Sequence, residues 1–542
     1  MQVVNGAELA RLALRQQTIN VPLEEVKRGN IYDRKGRSLL NSGYHQRLIL
    51  FNRVIKDKAD VLARLETVLP QAMGSITSSI QKPQNWVIVP KDITETQAAA
   101  VNGLKIPGVV VVPVRYRYGS DAVAVGLIGH LGKISSTAEL DRLQKAASKD
   151  YLLNDWVGKS GLEKYYEGWL KGNKSEGTVR AFVDARHQLI PGWGVQRVYG
   201  DKDQLRQNLY LTLDADIQRG VEEILARHQV RGAAVVMESA TGDLLALASS
   251  PSYRQDKVSD YIKLSQILPE YEKVFYDKTT LLAQPGSVFK VVVAAAALET
   301  GLITPRSMIK CTPVDGFVCS VPEHPGRHSF DEAMAWSCNA TFVRLGQQLG
   351  AEKLIATAKA MGLASQKVVG YPFAADQGQN WETLRKPFAL SNGSIGQGSV
   401  LANPIQITAM MNVVANHGIY IQPRLMANTK TSEGRIVKIF PLGKSNRAVS
   451  KETAQDIKDM LYSVTSYGTG RDAQVEGWSS VGKTGTAQVN KDTGLLFAWF
   501  SGFTPVEHPR YVITVLVEDG ESGGKTAAPL FREIAEYIKS IE

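Results

Sequence analysis

The sequence predicts an α+β protein whose second half is an antiparallel five-stranded sheet flanked by helices, with an all-helical insertion. Three observations carry this. Residues 232–238 and 243–248 are two aliphatic runs joined by Ser239-Ala240-Thr241-Gly242, a hairpin signature. Three more strand-like runs, at 478–488, 497–505 and 510–518, follow at hairpin spacing near the C-terminus. Amphipathic helices bracket these strands at 215–228 and 527–541, and helical sequence fills the long interval between the two strand groups.

Taken in order, residues 8–17 (ELARLALRQQ) read as a short amphipathic helix, and 28–40 (RGNIYDRKGRSLL) as strand–turn–strand with the turn at 33–36. Helical periodicity follows at 59–69 and 94–104, and strand-like runs at 86–89 and 109–117. Glycine-rich stretches at 158–161, 168–177 and 192–194 mark loops and turns. A boundary falls near 200–209, where polar DKDQLRQN precedes LYLTLDADIQ, and Asp214 is placed to cap the helix that follows. Pro285 and Gly286 start another helix, which runs to Leu298 and stops at Gly301. No internal repeat is visible.

At 542 residues the chain exceeds a single core, which stops growing near about 250–300 residues. With 44% apolar and 21% charged residues, wholesale disorder is excluded. The excess of 63 basic over 53 acidic residues gives +10, yet no Lys/Arg block concentrates it, so a solvated basic surface is expected rather than a nucleic-acid partner. No run of about 18 apolar residues could span a bilayer, and polar Asn5, Glu8 and Arg11 exclude a signal peptide at Met1. A cytosolic protein and one whose membrane segment has been removed both fit this composition. Cys311, Cys319 and Cys338 do not make a disulfide framework; Cys311 and Cys319 fit either a bridge or two thiols. His324 and His328 stand at i, i+4, but Pro325 and Gly326 break the helix this spacing needs. No metal-ligand cluster, and no metal or cofactor, is therefore expected.

The chemistry starts at Gln284-Pro285-Gly286-Ser287-Val288-Phe289-Lys290. Ser287 falls in the first turn of a helix with Lys290 one turn on, on the same face. A serine hydroxyl becomes a nucleophile when a base reaches it, and a buried lysine can be that base when burial lowers its pKa. Alone this signal is weak, since Ser-x-x-Lys also occurs at Ser79, Ser307, Ser480 and Ser522. Two unique motifs change that: Ser337-Cys338-Asn339 is the one Ser-x-Asn, and Lys483-Thr484-Gly485 the one Lys-Thr-Gly. They follow Ser287 in the order serine acyl-enzymes of this type use. Ser337 can relay a proton to a leaving amine, Asn339 can hold a substrate amide, and Lys483 adds positive charge. The hydroxyls of Thr484 and Thr486 suit a substrate carboxylate, and Gly485 permits close backbone approach. An edge strand at 483–487 can pair with an extended peptide, with the N–H groups of Ser287 and Thr486 as oxyanion hole. Peptide acyl transfer through Ser287 is the expected activity.

On these motifs the sequence resembles a class B penicillin-binding protein, a peptidoglycan D,D-transpeptidase. The likeness extends along nearly the whole chain. Residues 28–36 (RGNIYDRKG) resemble the family's N-terminal RGxIxDRxG box, and Gly161-Leu162-Glu163 with Tyr165, Leu170 and Gly172 its GLE box. Residues 233–253, SIGQG at 394–398 with Pro404 and Gln406, and GKTGTAQ at 482–488 resemble later stretches of the family. The resemblance implies an elongated pedestal of the penicillin-binding protein dimerisation type over 1–205 and a transpeptidase domain over 206–542. It implies attack on the D-Ala–D-Ala of one stem peptide, release of D-Ala, transfer to an amine of a neighbouring stem peptide, and acylation of Ser287 by β-lactams. It also implies a membrane glycosyltransferase partner and a place on the outer face of the bacterial cell membrane, with an anchoring N-terminal helix outside this sequence. No preceding transglycosylase sequence points to a class A protein. A β-lactamase shares the three motifs but not the boxes at 28–36 and 161–172. A D,D-carboxypeptidase, or a lactam-acylated sensor or scaffold, are the competing functions.

Overall fold

The computed structural model describes residues 18–146, 149–184, 186–190, 194–199, 203–318, 326–364, 367–371, 379–488 and 494–542. The helix expected at 8–17, and residues Cys319 and His324, lie outside these.

In the first 200 residues two helices begin where side chains satisfy their open N–H groups. Asp57 caps Lys58–Glu66, and Thr94 with Gln97 forms a reciprocal capping box on Glu95–Gly103. Both pack on an antiparallel sheet in which Gly43–Leu50 runs between Val87–Ile93 and Val109–Tyr116. A second sheet joins Thr18–Pro22, Gly177–Phe182 and Val195–Tyr199. The glycine-rich stretches read as loops and turns at 158–161 and 168–177 differ where they overlap helical turns, at Gly161 of Gly161–Tyr165 and at 168–170 of Glu167–Leu170. Leu162 and Leu170 are fully buried, and their burial outweighs the local preference for a loop.

The two sequence boxes meet in space. The buried Arg28 guanidinium lies 2.6 Å from Glu163 Oε2 and 2.7 Å from Glu167 Oε2, while Arg117 Nε reaches Glu163 Oε1 at 2.7 Å. Burial alone raises the Glu163 carboxyl, but Arg117 and then Arg28 outweigh it and hold its pKa below 4.5. Asp33 accepts the N–H groups of Lys35 (2.9 Å) and Arg37 (2.8 Å), closing the turn predicted at 33–36. Arg37 then ties that turn to Asp214 (3.0 Å) and Asp216 (2.7 Å). Strand Gln207–Leu211 pairs in parallel with Ile31–Tyr32 and antiparallel with Met426–Thr431, which pairs with Ile436–Ile439. One four-stranded sheet therefore takes strands from both halves of the chain.

The second half centres on β1 (Gly232–Glu238), β2 (Leu244–Ser250), β3 (Val481–Gln488), β4 (Leu496–Thr504) and β5 (Tyr511–Glu518). They form one antiparallel sheet in the order β2-β1-β5-β4-β3, which leaves β3 at an edge. The helices are α1 (Ala215–Arg227), α2 (Lys290–Glu299), α3 (Asn339–Ala358, broken at Gly350), α4 (Pro404–Ala415), α5 (Lys451–Ser466) and α6 (Ala528–Ser540). The period-two alternation of the strands divides two cores. Ala234, Val236, Ile513 and Val515 face α1 and α6, the helices that bracket the strands in sequence. Val235, Met237, Val512 and Leu516 face a larger core that includes α2, α4 and α5. Residues 291–297 are buried on every side, as an all-round apolar helix must be.

On α1, Glu222 accepts the Ala124 N–H at 2.7 Å and the Gln218 amide at 2.8 Å, so it joins the two halves. Desolvation pushes its carboxyl up from 4.5 to about 7. A raised folded pKa means that stability is lost as pH climbs from 4.5 toward 7, because the folded state holds a proton the unfolded chain has released. Glu222→Gln keeps an acceptor without the titration. Chemical denaturation should find it more stable than the parent by about 1–2 kcal/mol at pH 8 and no more stable at pH 5.

Candidate active site

A cleft of about 570 Å³ opens along the edge strand β3, lined by Ser287, Ser337, Asn339, Thr484 and Thr486 among others. Its floor depends on how closely two backbone segments approach. Gly286–Phe289 is a 3₁₀ turn leading into α2, tighter than the first α-helical turn expected for Ser287. Gly286 has φ +55°, and a Cβ there would fall 2.6 Å from the Thr486 carbonyl oxygen. At Gly485 a Cβ would fall 2.5 Å from the Pro285 carbonyl oxygen and 2.9 Å from Val288 Cγ2. Two glycines, 199 positions apart in sequence, thus let the Ser287 turn lie against β3. Trp499 on β4 secures the approach, its Nε1–H donating to the Gln284 carbonyl at 2.9 Å.

Lys290, the first residue of α2, is fully buried. Its Nζ donates to Asn339 Oδ1 (2.6 Å), to the Ser337 carbonyl (2.7 Å) and to Ser337 Oγ (3.1 Å). Lys483 Nζ, from β3, reaches the same Ser337 Oγ at 3.0 Å. One hydroxyl thus stands between two lysine amines. Burial first, and then the charge of Lys290, holds the Lys483 pKa well below 10.5. Ser337 itself has φ +57°, a left-handed conformation costly for a residue with a Cβ. Its turn, between helix Phe330–Ala335 and α3, is held by the Ser337 N–H on the Met334 carbonyl (3.1 Å) and the Cys338 N–H on that of Ala333 (2.8 Å).

The structure therefore brings together Ser287, Lys290, Ser337, Asn339, Lys483, Thr484, Gly485 and Thr486. The Thr484 hydroxyl is engaged with that of Thr469 at 2.8 Å, and Thr486 Oγ1 accepts the Gly523 N–H at 3.2 Å. Of the other Ser-x-x-Lys serines, Ser79 lies in a helix of the first domain, Ser307 bonds Thr304, and Ser480 donates to the Ala473 carbonyl. Ser522 lines the cleft with Lys525, where its Oγ caps that residue's N–H. Sequence reasoning missed Thr469 and Arg471, which line the cleft from a segment without a readable pattern, and Trp336, which stands next to the Ser-x-Asn motif but was given no role. It met Gln397 in the SIGQG box but gave it no role; its amide donates to the Thr486 carbonyl at 3.3 Å.

The expectation of no metal-ligand cluster is corrected. Cys311, His328 and Cys338 bring one ligand atom each within 4.8 Å of one another. Strands Met308–Lys310 and Arg327–Ser329 pair, which places Cys311 and His328 together beside the Ser337 turn. Spacings of 17 and 10 residues gave no helical or short-loop signature of this. Whether Cys311 bridges Cys319 falls outside the described residues; Cys311 Sγ faces Cys338 Sγ at 3.3 Å.

The family model of the penicillin-binding protein transpeptidase domain matches residues 232–536, and that of the penicillin-binding protein dimerisation domain residues 23–195. Peptidoglycan D,D-transpeptidase MrdA of Acinetobacter baumannii is 27% identical over 94% of this chain and 80% of its own length. Peptidoglycan D,D-transpeptidase PbpA of Mycolicibacterium smegmatis is 32% identical over 67% of this chain and 79% of its own. Among solved structures, the penicillin-binding protein PBP2 of Helicobacter pylori has a TM-score of 0.70 at 24% identity, covering 97% of this chain and 99% of its own, a likeness of fold.

Proposed function

Since the chain belongs to the class B penicillin-binding proteins, we propose that it is a peptidoglycan D,D-transpeptidase working through an acyl-enzyme on Ser287. The observation that carries this is the shared Ser337 hydroxyl, which links Lys290 and Lys483 beside the Ser287 turn. Ser287 Oγ attacks the carbonyl of the penultimate D-Ala, and its proton passes to a neutral Lys290 amine. The N–H groups of Ser287 and Thr486 receive the developing oxyanion. The C–N bond then breaks, Ser337 relays the proton to the departing D-Ala amine, and an ester to Ser287 remains. An acceptor amine attacks that ester, gives up its proton by the same route and regenerates Ser287.

The lysine pair explains how Lys290 is made ready. Two buried ammonium groups at one hydroxyl repel, so the pair favours a single charge. A substrate carboxylate beside Lys483, Thr484 and Thr486 draws that charge to Lys483 and leaves Lys290 neutral. Asn339, whose Oδ1 is taken by Lys290, has its NH₂ group to hold the donor peptide's amide. Thr469, Arg471 and Lys525 add polar and cationic lining for the same carboxylate. The donor strand pairs with the outer edge of β3. β-Lactams acylate the same serine.

No helix of the described residues is long and apolar enough to cross a membrane. The wall substrate puts the working site outside the cytoplasmic membrane, with an N-terminal membrane anchor and a membrane glycosyltransferase as partner. The pedestal spans 1–205 and the transpeptidase domain 206–542. Incubation with a D-Ala–D-Ala donor peptide and an amine acceptor should yield the cross-linked amide plus D-Ala. Hydrolysed donor alone, at saturating acceptor, would make the enzyme a carboxypeptidase, and one stable acyl adduct without turnover would make it a sensor.

The contact at Gly485 supplies a second test. Gly485→Ala forces the Ser287 turn away from β3, and a displacement near 1 Å costs about 100-fold in rate. Stopped-flow acylation by a penicillin should slow by at least about that factor, with about 1–3 kcal/mol lost from folding stability. Acylation within about twofold of the parent would show that the approach is not needed.

A further inference from the structure

The cleft along β3 is built to receive negative charge. Lys290 and Lys483 meet at Ser337 in its wall, and Arg471 and Lys525 line it. Among the described residues that line it, Asp472 alone carries a carboxylate. Arg471 and Asp472 are adjacent and exposed, and neither side chain has a hydrogen bond or ion pair among the described residues. Lys525, by contrast, pairs with Glu521. We infer, resting on the transpeptidase reading proposed above, that Arg471 and Asp472 form the acceptor subsite. Asp472 holds the ammonium of the incoming amine, and Arg471 holds a carboxylate on the same carbon. The acceptor is then the free amino acid end of a diamino diacid, not an isolated side-chain amine.

The two charges stand on a fixed platform. Gly468 follows α5, and a Cβ there would fall 2.4 Å from the Ala335 carbonyl oxygen. The Thr469 N–H donates to that same carbonyl at 3.0 Å, and the Gly470 N–H to that of Val464 at 2.9 Å. The turn Arg471–Ala473 ends on Ala473, which is fully buried. Its N–H donates to the Gly470 carbonyl at 2.9 Å, and its carbonyl accepts the Ser480 hydroxyl at 2.7 Å. Backbone contacts thus hold the turn on both sides of the two charged residues. The Thr469 hydroxyl meets that of Thr484 at 2.8 Å, so the platform borders the part of β3 proposed for the substrate carboxylate.

An ammonium entering a cleft lined by cations is repelled, and a free carboxylate at its exposed edge reverses that repulsion locally. Aminolysis of the acyl-enzyme is acylation run backwards, so the attacking amine takes the place that the D-Ala amine has left. Departing D-Ala removes its carboxylate as well, which vacates Thr469, Thr484 and Arg471 together. An acceptor whose amine stands beside a carboxylate refills that site, and one without it leaves Arg471 unmatched. As the amide C–N bond forms, the ester C–O bond to Ser287 breaks. Of the two protons the ammonium sheds, one goes to water before attack and the other returns to Ser287 Oγ. Asp472 binds the acceptor and is not the base.

The test reads one acyl-enzyme dividing between water and amine, so any loss of folded protein or of acylation cancels. The full chain is acylated with a thioester analogue of the donor peptide. The ratio of aminolysed to hydrolysed product is then measured with D-alanine and with D-alaninamide, which offers the amine without the carboxylate. The parent should favour D-alanine by at least about tenfold. Asp472→Asn should lower the ratio about tenfold with both acceptors, and Asp472→Glu should keep at least about a third of it. Arg471→Ala should lower it about tenfold more with D-alanine than with D-alaninamide. A ratio in Asp472→Asn within about twofold of a parent that makes amide would overturn the subsite and leave the transpeptidase reading standing. Equal use of the two acceptors by the parent would overturn the amino acid end as the acceptor class. Hydrolysis alone by the parent with either acceptor would overturn the transpeptidase reading, and the subsite with it.

Discussion

Ser287→Ala is expected to reduce covalent labelling by a fluorescent penicillin to background and to abolish cross-linked product. The hydroxyl supplies the atom that becomes acylated, and no side chain beside it can replace that atom. Where a nucleophile of this kind is removed, only the oxyanion site and binding remain, and about 10⁴-fold or more in rate is lost. The fold should be unaffected: Ser287 is half-buried on a turn fixed by the backbone of Gly286 and by Trp499, and its loss should change stability by no more than about 0.5 kcal/mol. Non-covalent lactam binding, read by protection from heat, should persist. Covalent label recovered on another residue after tryptic digestion would refute the assignment of the nucleophile.

Lys290→Ala should lower the acylation rate about 10³-fold, roughly 4 kcal/mol of transition-state stabilisation, while weakening initial lactam binding less than about tenfold. Two effects combine: the base is gone, and Ser337 and Asn339 lose the donor that holds them. Lys290→Arg separates these. A guanidinium can still donate to the Ser337 carbonyl and Asn339 Oδ1, but it does not lose its proton in a protein. If Lys290 acts as the base, the arginine variant should be as slow as the alanine variant; if it only props the turn, arginine should recover most of the rate. A pre-steady-state comparison of the two variants decides between these.

Much of this was legible in the amino-acid sequence because much of it is local. The capping residue Asp214 marks a helix start through a hydrogen bond that spans two positions, and periodicity marks the helices near 59–69 and 94–104. The hairpin at 232–250 and the final three strands follow from period-two alternation and a four-residue turn, and the buried α2 from an unbroken apolar run. The reading of the three motifs rested on their order and on the uniqueness of Ser337–Asn339 and Lys483–Gly485, and needed no coordinates.

What sequence could not carry are contacts whose partners are set by strand register and helix packing. Ser-x-x-Lys at five positions looks alike in sequence; the 3₁₀ turn at Gly286, resting on Gly485, sets Ser287 apart. Thr469 became part of the site because an otherwise featureless loop reaches Thr484 on β3. Glycines at 158–161 and 168–177 read as loops and turns, yet Arg28, more than 130 positions away, offers Glu163 a buried partner that makes helical turns favourable between and into them. The three ligand atoms at Cys311, His328 and Cys338 converge because a short strand pair closes the intervening chain against α3. By itself, then, the sequence determined which elements form and which residue types could do the chemistry. The tertiary structure decided which copies of those residues meet, because hydrogen-bond distances near 3 Å between segments about 50 to 200 residues apart are selected by packing of the whole core, and no local spacing encodes them.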